Sequence, residues 1–301
     1  MRGLTETFLN DLKQGKLKDV LVAVKSDDTL CLEIRDNYIN IYYRGGCILK
    51  ISSTAVDYKM EFDRNYYHRY TGEITAIVAS DVNKWLEFIP FLKAEMDHFF
   101  NVHPKLEREY QQLVLRENNN SSISNDTDYY IVDLEYANIE NGSRFDLLAV
   151  KWDSTSGSHK TAEDVRLVFI EKKYGDGALN GSAGISKHFE DLFRFLSDQS
   201  KVADLYQEVE TILNQKIELE LIQGIKKTIK ISRGKPEFLI LMANHKPVKS
   251  AFKRELKIAM EMPYHSALKA LVDIKIPQAS FMGYGLYKDR MINLEEFVNE
   301  Y

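Results

Sequence analysis

The stretch VRLVFIEKK, residues 165–173, decides how this chain is read. Leu167, Val168, Phe169 and Ile170 form an unbroken apolar run, the pattern of a strand buried on both faces. The run closes on three charges, Glu171-Lys172-Lys173. Side chains two apart on a strand share a face, so Glu171 and Lys173 point one way and Lys172 the other.

Working outward, two more strand candidates precede it. RFDLLAVKW (144–152) follows the turn formers Asn141-Gly142 and carries Asp146 near its start; YYIVDLEYA (129–137) comes before that. A hydrophilic insert, 153–164, separates the second candidate from the third. After the charges, Gly175, Gly177, Gly181 and Gly184 surround a loop. The loop leads into a helix whose apolar face is Ile185, Phe189, Leu192, Phe193 and Leu196. A second helix over Lys201–Leu221 and a buried strand over Pro236–Ala243 complete the series. Upstream, Pro104 suits a first helical turn, and Leu106, Tyr110 and Leu113 continue one apolar face to about Arg116. The Asn- and Ser-rich segment 117–126 reads as a loop. The order is helix, three strands, helices, strand, which argues for α/β architecture in this part of an α+β chain. In the tail, Pro247–Met260 reads as a basic helix, Ala270–Ile276 and Ser280–Leu286 as strands, and Leu294–Tyr301 as a short helix.

An acid two residues before a lysine is common. It also occurs at Asp11-Lys13, Asp57-Lys59, Glu255-Lys257 and Asp273-Lys275. Glu171-Lys173 differs in context, because it ends a buried strand, follows a strand with an embedded Asp146, and precedes a glycine-led amphipathic helix. If the two strands pair, Asp146 meets Glu171 across the sheet. Close carboxylates repel unless a cation lies between them, so the arrangement makes most sense as a site for Mg²⁺ or Mn²⁺. Carboxylate-held divalent ions supply activated water and charge stabilisation for phosphodiester hydrolysis. A lysine beside them orients or deprotonates water, or neutralises a phosphoryl oxygen.

With these motifs in order, the segment from about 104 to 245 resembles the PD-(D/E)xK superfamily, the restriction-endonuclease-like nucleases. The resemblance implies an αβββαβ core and a metal-dependent nuclease acting on nucleic acid, most naturally DNA. It assigns Asp146, Glu171 and Lys173 as catalytic, with Asp146 and Glu171 holding the metal. Phe145 stands where that family's motif has proline. A glutamate on the family's first helix often adds a ligand; here Leu106-Glu107-Arg108-Glu109-Tyr110 makes Glu107 the better match and Glu109 the second.

Supporting candidates are weaker. Asp133 and Glu135 are expected on one face of the first core strand, where either extends the acidic cluster or merely faces solvent. Ser182 suits the N-cap of the helix after the motif, a helix start suits a phosphate, and Lys187 and His188 lie on its polar side; an ordinary capped helix is the plainer alternative. Basic stretches at Lys226–Lys235 and Lys246–Lys257 suit phosphate contacts or a solvated face equally. There is no GxSxG elbow, no Walker loop and no HExxH spacing.

The first hundred residues have a different texture. A short helix over Leu4–Leu12 precedes strand-like runs at Val20–Lys25, Leu30–Arg35, Tyr38–Tyr43, Cys47–Ser52 and Val56–Phe62, split by turn formers such as Asp36-Asn37 and Arg44-Gly45-Gly46. Trp85, Leu86, Phe88, Ile89, Leu92, Met96 and Phe99 then follow at helical spacing, as core rather than a stacking platform. The expected domains are residues 1–102, an antiparallel β-rich module for specificity or assembly with a second copy, and residues 103–301. A net charge of −5 means that any polyanion must be met by local basic patches. Two cysteines, Cys31 and Cys47, are too few for a disulfide scaffold and are expected as free thiols. No secretory leader and no membrane span is expected, so the chain is placed in the cytoplasm. The alternative to a nuclease is a binding or interaction protein on the same fold with its acidic cluster retired.

Overall fold

The structure is a computed structural model that describes residues 2–69, 71–120, 126–138, 143–152, 164–181, 184–222, 225, 228–243, 251–278 and 283–300. It forms two compact units, Met1–Gln112 with Thr211–Thr228, and Leu113–Glu210 with Ile229–Tyr301. The expected division fell at residues 102 and 103; the first unit instead takes in the chain as far as Gln112 and a later segment besides.

The first unit opens with α1 (Glu6–Gln14) and α2 (Lys18–Ser26). Its sheet is an antiparallel meander in sequence order: β1 (Cys31–Ile34), β2 (Tyr38–Tyr43), β3 (Gly46–Ser53) and β4 (Tyr58–Glu61). The strand expected over Val20–Lys25 is helical. Its buried residues, with Leu17, fall at 17, 20, 21 and 24 while Val22 is exposed, so a 3–4 period overrides the strand preference of valine. Between β2 and β3, Arg44 and Gly45 both have positive φ, the two-residue hairpin turn that matches strand twist. A side chain at Gly45 would lie 2.4 Å from the Arg108 backbone, so this turn also requires glycine for close approach. The helices α3 (Thr71–Thr75) and α4 (Val82–Val102) follow, with α4 packed on β3 and α2, and α5 (Leu106–Asn119) has its first half, to Gln112, in this unit. Cys31 and Cys47 are free, and both lie opposite Tyr42, one from each neighbouring strand. Two strand spacings, about 9–10 Å, exceed the reach of a disulfide.

The later segment belongs here because the second half of α7 (Gln199–Glu218) is tied to it by specific bonds. The Gln215 amide donates to Leu4 O and accepts from Leu4 N, at 2.8 and 2.9 Å. Lys216 Nζ meets Glu33 at 3.0 Å, both fully buried.

The second unit is built on a six-stranded mixed sheet. β5 (Tyr129–Asn138), β6 (Ser143–Lys151) and β7 (Arg166–Tyr174) are antiparallel neighbours; β8 (Ser232–Ala243) runs parallel to β7, β9 (Asp273–Pro277) parallel to β8, and β10 (Met291–Asn293) antiparallel to β9. The expected order of helix, three strands, helices and strand is therefore present, with α6 (Ile185–Leu196) and α7 between β7 and β8. α6 packs against α8 (Phe252–Met260) and α9 (His265–Leu271), and α10 (Leu294–Glu300) closes the chain. The core is strongly aromatic: Phe145 contacts Phe169 and Phe195 with ring centres 4.8 and 5.2 Å apart, and Phe189 meets Phe238 edge-on. Phe195 rather than Phe193 is buried; Phe193 instead stacks on Tyr264.

Other boundaries also moved. Asn118 and Asn119, expected in a loop, end α5 and dock it. The Asn119 amide pairs with both backbone groups of Ile131 at 2.8 Å, beside the bulge of the edge strand β5. Ala270 and Leu271 end α9 instead of starting a strand. Of the expected strand Ser280–Leu286, residues 280–282 lie outside the described residues and 284–286 form no strand.

Glu237 on β8 is buried and gathers Lys275 Nζ at 2.6 Å, Lys151 Nζ at 2.7 Å and the Tyr129 hydroxyl at 2.8 Å. Burial alone raises its pKa, but the bonds and charges of the two lysines outweigh it, leaving the carboxyl below its ordinary value. A depressed carboxyl stabilises the fold above its unfolded pKa, about 4.3, and that contribution is lost as pH falls through the folded value. Glu237→Gln should therefore flatten the loss of stability below about pH 4 and lower it at neutral pH by about 3 kcal/mol. Urea unfolding of both proteins across pH 3–7 measures this; parallel pH profiles would refute it.

Candidate functional site

β7 positions the site. Its residues Leu167–Ile170 are fully buried, so the charged end of the strand is drawn into the interior with them. β6 pairs with it in a register that sets Leu147 opposite Ile170. One step further along, the same register sets Asp146 level with Glu171. Asp146 Oδ2 accepts a hydrogen bond from the backbone N–H of Lys172 at 2.9 Å, which fixes the carboxylate against β7.

On the Glu171 face three groups converge. Lys173 Nζ lies 2.7 Å from Glu171 Oε1, His188 Nε2 lies 2.9 Å from the same oxygen, and Lys173 Nζ and His188 Nε2 are 2.8 Å apart. Glu171 and Lys173 are 7% and 4% exposed at the side chain, against 28% for His188. Distance and direction disagree at Glu171 Oε1. Both nitrogens are close, yet neither makes a well-directed hydrogen bond to this buried oxygen. Proximity without alignment gives charge neutralisation but not full hydrogen-bond satisfaction.

His188 is delivered by the first turn of α6. Gly184 caps that helix at its N-terminus, and a side chain there would lie 2.6 Å from the Asn180 backbone. Ile185 and Phe189 are fully buried, which pins the turn that carries His188. Ser182, the expected cap, lies outside the described residues. Lys187 is not brought to the site: it pairs along the helix surface with Asp191 at 2.6 Å and Glu190 at 3.6 Å.

The remaining candidates are placed as follows. Lys172 is buried on the opposite face of β7, its Nζ 5.7 Å from the Tyr174 ring centre. The register sets Glu135 level with Asp146, since Leu134 faces Leu147 and Tyr136 faces Phe145. Its φ of +56° interrupts the extended backbone on which the shared face with Asp133 rested, and Asp133 is fully buried while Glu135 is half-buried. Glu107 lies on the first turn of α5, among the residues of the first unit. Glu109, also in that unit, is held by Arg44 at 3.1 Å. Of the basic stretches, Arg233 pairs with Glu210 at 3.2 Å and Lys235 with Asp273 at 2.7 Å, which partly neutralises them; residues 226, 227 and 244–250 lie outside the described residues.

Among the described residues, no three His, Cys, Asp or Glu side chains gather closely enough to hold a metal by themselves. The donor set is two carboxylates level on adjacent strands. That does not suit zinc, which needs three or four protein ligands. It does suit Mg²⁺, which takes one or two carboxylates and keeps water or phosphate oxygens for the rest. An open concavity of about 490 Å³ in the first unit is lined by Lys50, Glu61, Asp63 and Arg64 beside Tyr38 and Cys47; it has acids and a lysine but no histidine among its lining residues.

No family model, curated protein or solved structure matches this chain. No helix among the described residues is long and apolar enough to cross a membrane.

The convergence on β7 was legible as Glu171 with Lys173. The entry of His188 was signalled only by its place on the polar side of the helix that follows the motif. The Lys172 N–H to Asp146 bond had no sequence signal, because it depends on register.

Three substitutions test this geometry. Asp146→Ala removes the acceptor of the Lys172 N–H and should cost about 1–3 kcal/mol, whereas Asp146→Asn keeps an oxygen there and should cost under about 1 kcal/mol. Gly184→Ala forces Asn180 aside and should cost about 1–3 kcal/mol. Urea unfolding at neutral pH measures all three; equal stabilities of the two Asp146 variants would remove the bond from the account.

Proposed function

We propose that the second unit is a metal-dependent nuclease that hydrolyses phosphodiester bonds in DNA, of the PD-(D/E)xK kind that its motifs resemble. The observation that carries this reading is the buried Glu171 Oε1, level with a fixed Asp146 and lacking a well-directed hydrogen bond. The strand order supports it as well: three antiparallel strands followed, after helices, by one parallel to the third.

Asp146 and Glu171 would hold Mg²⁺ or Mn²⁺. When bound, the ion supplies Lewis-acid stabilisation of the phosphoryl oxygens and a water of lowered pKa. The other steps belong to the chain. The Lys172 N–H orients Asp146. Lys173, on the same face as Glu171, presents its ammonium to the attacking water or to a phosphoryl oxygen. Both groups stand at the carboxyl ends of the parallel strands β7 and β8, the end at which open α/β sheets admit ligands. Glu107 is the further ligand that the resemblance implies, and Mg²⁺ is held by as few as one or two carboxylates.

One observation favours the second reading, a binding protein on the same fold. Lys173 already sits against Glu171 at 2.7 Å, as a retired site would have it.

Incubation with linear and plasmid DNA in Mg²⁺ or Mn²⁺ separates the two. Wild type should cut, and Asp146→Asn, Glu171→Gln and Lys173→Ala should each lose at least about 10²-fold in rate. Millimolar Mn²⁺ should raise the Tm of wild type by ligand linkage and leave Asp146→Asn unmoved. Intact DNA together with an unmoved Tm would select the binding protein.

A further inference from the structure

We infer that His188 is the positioning residue for Lys173: its Nε2 keeps the lysine ammonium in place when Glu171 turns to a metal ion. The inference rests on the nuclease reading for its catalytic consequence and on the described contacts for its geometry.

Two nitrogens crowd Glu171 Oε1. Lys173 Nζ and His188 Nε2 both lie within 2.9 Å of it. A divalent cation bound to Glu171 repels the ammonium and takes over the oxygen that Lys173 faced. Lysine has a flexible four-carbon stem, so an anchor beside it narrows where the ammonium sits. His188 Nε2, 2.8 Å away, is such an anchor.

The chemistry of imidazole suits the task. An ammonium donates and cannot accept, so its bond to His188 requires a neutral ring with the proton on Nδ1. A neutral acceptor holds a cation without offering the metal a further negative charge. A carboxylate in the same place would compete for the ion.

The mounting suits it too. His188 stands on a helical turn whose flanking residues Ile185 and Phe189 are fully buried, and its own N–H bonds to Gly184 O at 3.2 Å. Rigid elements hold a constellation more closely than loops. His188 also forms the layer between the buried pair and solvent, being 28% exposed where Lys173 is 4%.

The whole 301-residue chain carries the test, with His188→Leu, His188→Gln, Lys173→Met and the two doubles. Urea unfolding without metal gives a double-mutant cycle. His188→Leu with Lys173→Met should destabilise by clearly less than the sum of the singles, and strict additivity would overturn the contact. His188→Gln covers the case in which His188→Leu does not fold, since its amide oxygen still accepts from an ammonium.

In Mn²⁺, His188→Leu should lower kcat by about 10–100-fold, the usual effect of a supporting residue. KM for DNA should be unchanged, and His188→Gln should recover most of the rate. The Mn²⁺ midpoint read from Tm should stay within about twofold of wild type. A midpoint weakened tenfold or more would make His188 a ligand and overturn positioning. Wild-type rates in both His188 variants beside an inactive Lys173→Met would overturn it as well. If wild type does not cut DNA at all, the nuclease reading falls, and the unfolding cycle alone decides whether His188 holds Lys173.

Discussion

Everything in the second unit answers one constraint: a strand buried on both faces ends in three charged residues. Glu171, Lys172 and Lys173 are all less than a tenth exposed. A buried ionised group is costly unless it is paired and hydrogen-bonded. The register of β6, the parallel seat of β8 and the approach of α6 together provide those partners. Asp146 takes the N–H between the two site residues, Lys173 neutralises Glu171, and α6 brings a histidine to both. A shift of one residue in either neighbouring strand would turn these groups to the wrong face.

Buried charge occurs elsewhere in the molecule, with differing degrees of hydrogen-bond satisfaction. Glu237 has Lys151, Lys275 and Tyr129 distributed over both of its oxygens. Within the first unit, the buried Glu95 accepts from the backbone N–H groups of His68 and Arg69. These carboxylates are satisfied and work as struts. Glu171 has charge beside it but no well-aligned donor at Oε1. Glu33 Oε1, in the buried pair with Lys216, likewise has no aligned donor, so an open lone pair alone is not a mark of chemistry. What sets Glu171 apart is that lone pair together with a fixed Asp146 on the next strand and Lys173 and His188 beside it.

Elements with a single dominant signal were legible. β2 falls at Tyr38–Tyr43, where alternation between turn formers is clear. β7 and α6 were visible from an apolar run and a helical stripe. Errors arose where two signals compete. In α2, valine's strand preference opposed a helical period, and packing settled it. Asn118 and Asn119 look like loop residues, but their amides satisfy backbone groups elsewhere in their unit and so finish a helix. Lys187 has the right address for a site and the wrong neighbours, because Asp191 one turn on captures it.

For the candidate site, the amino-acid order alone determined that Glu171 and Lys173 share a strand face, that Lys172 leaves it, and that a strand with an embedded acid comes before. These follow from covalent spacing and the two-residue period of a strand. Only the tertiary structure decided that Asp146 stands level with Glu171, that its carboxylate is held by the Lys172 N–H, and that His188 meets Lys173. It also decided that Thr211–Thr228 belongs with the first unit. Those facts depend on register, on helix approach and on which buried polar group finds which partner, and such long-range pairings have no local trace in the chain.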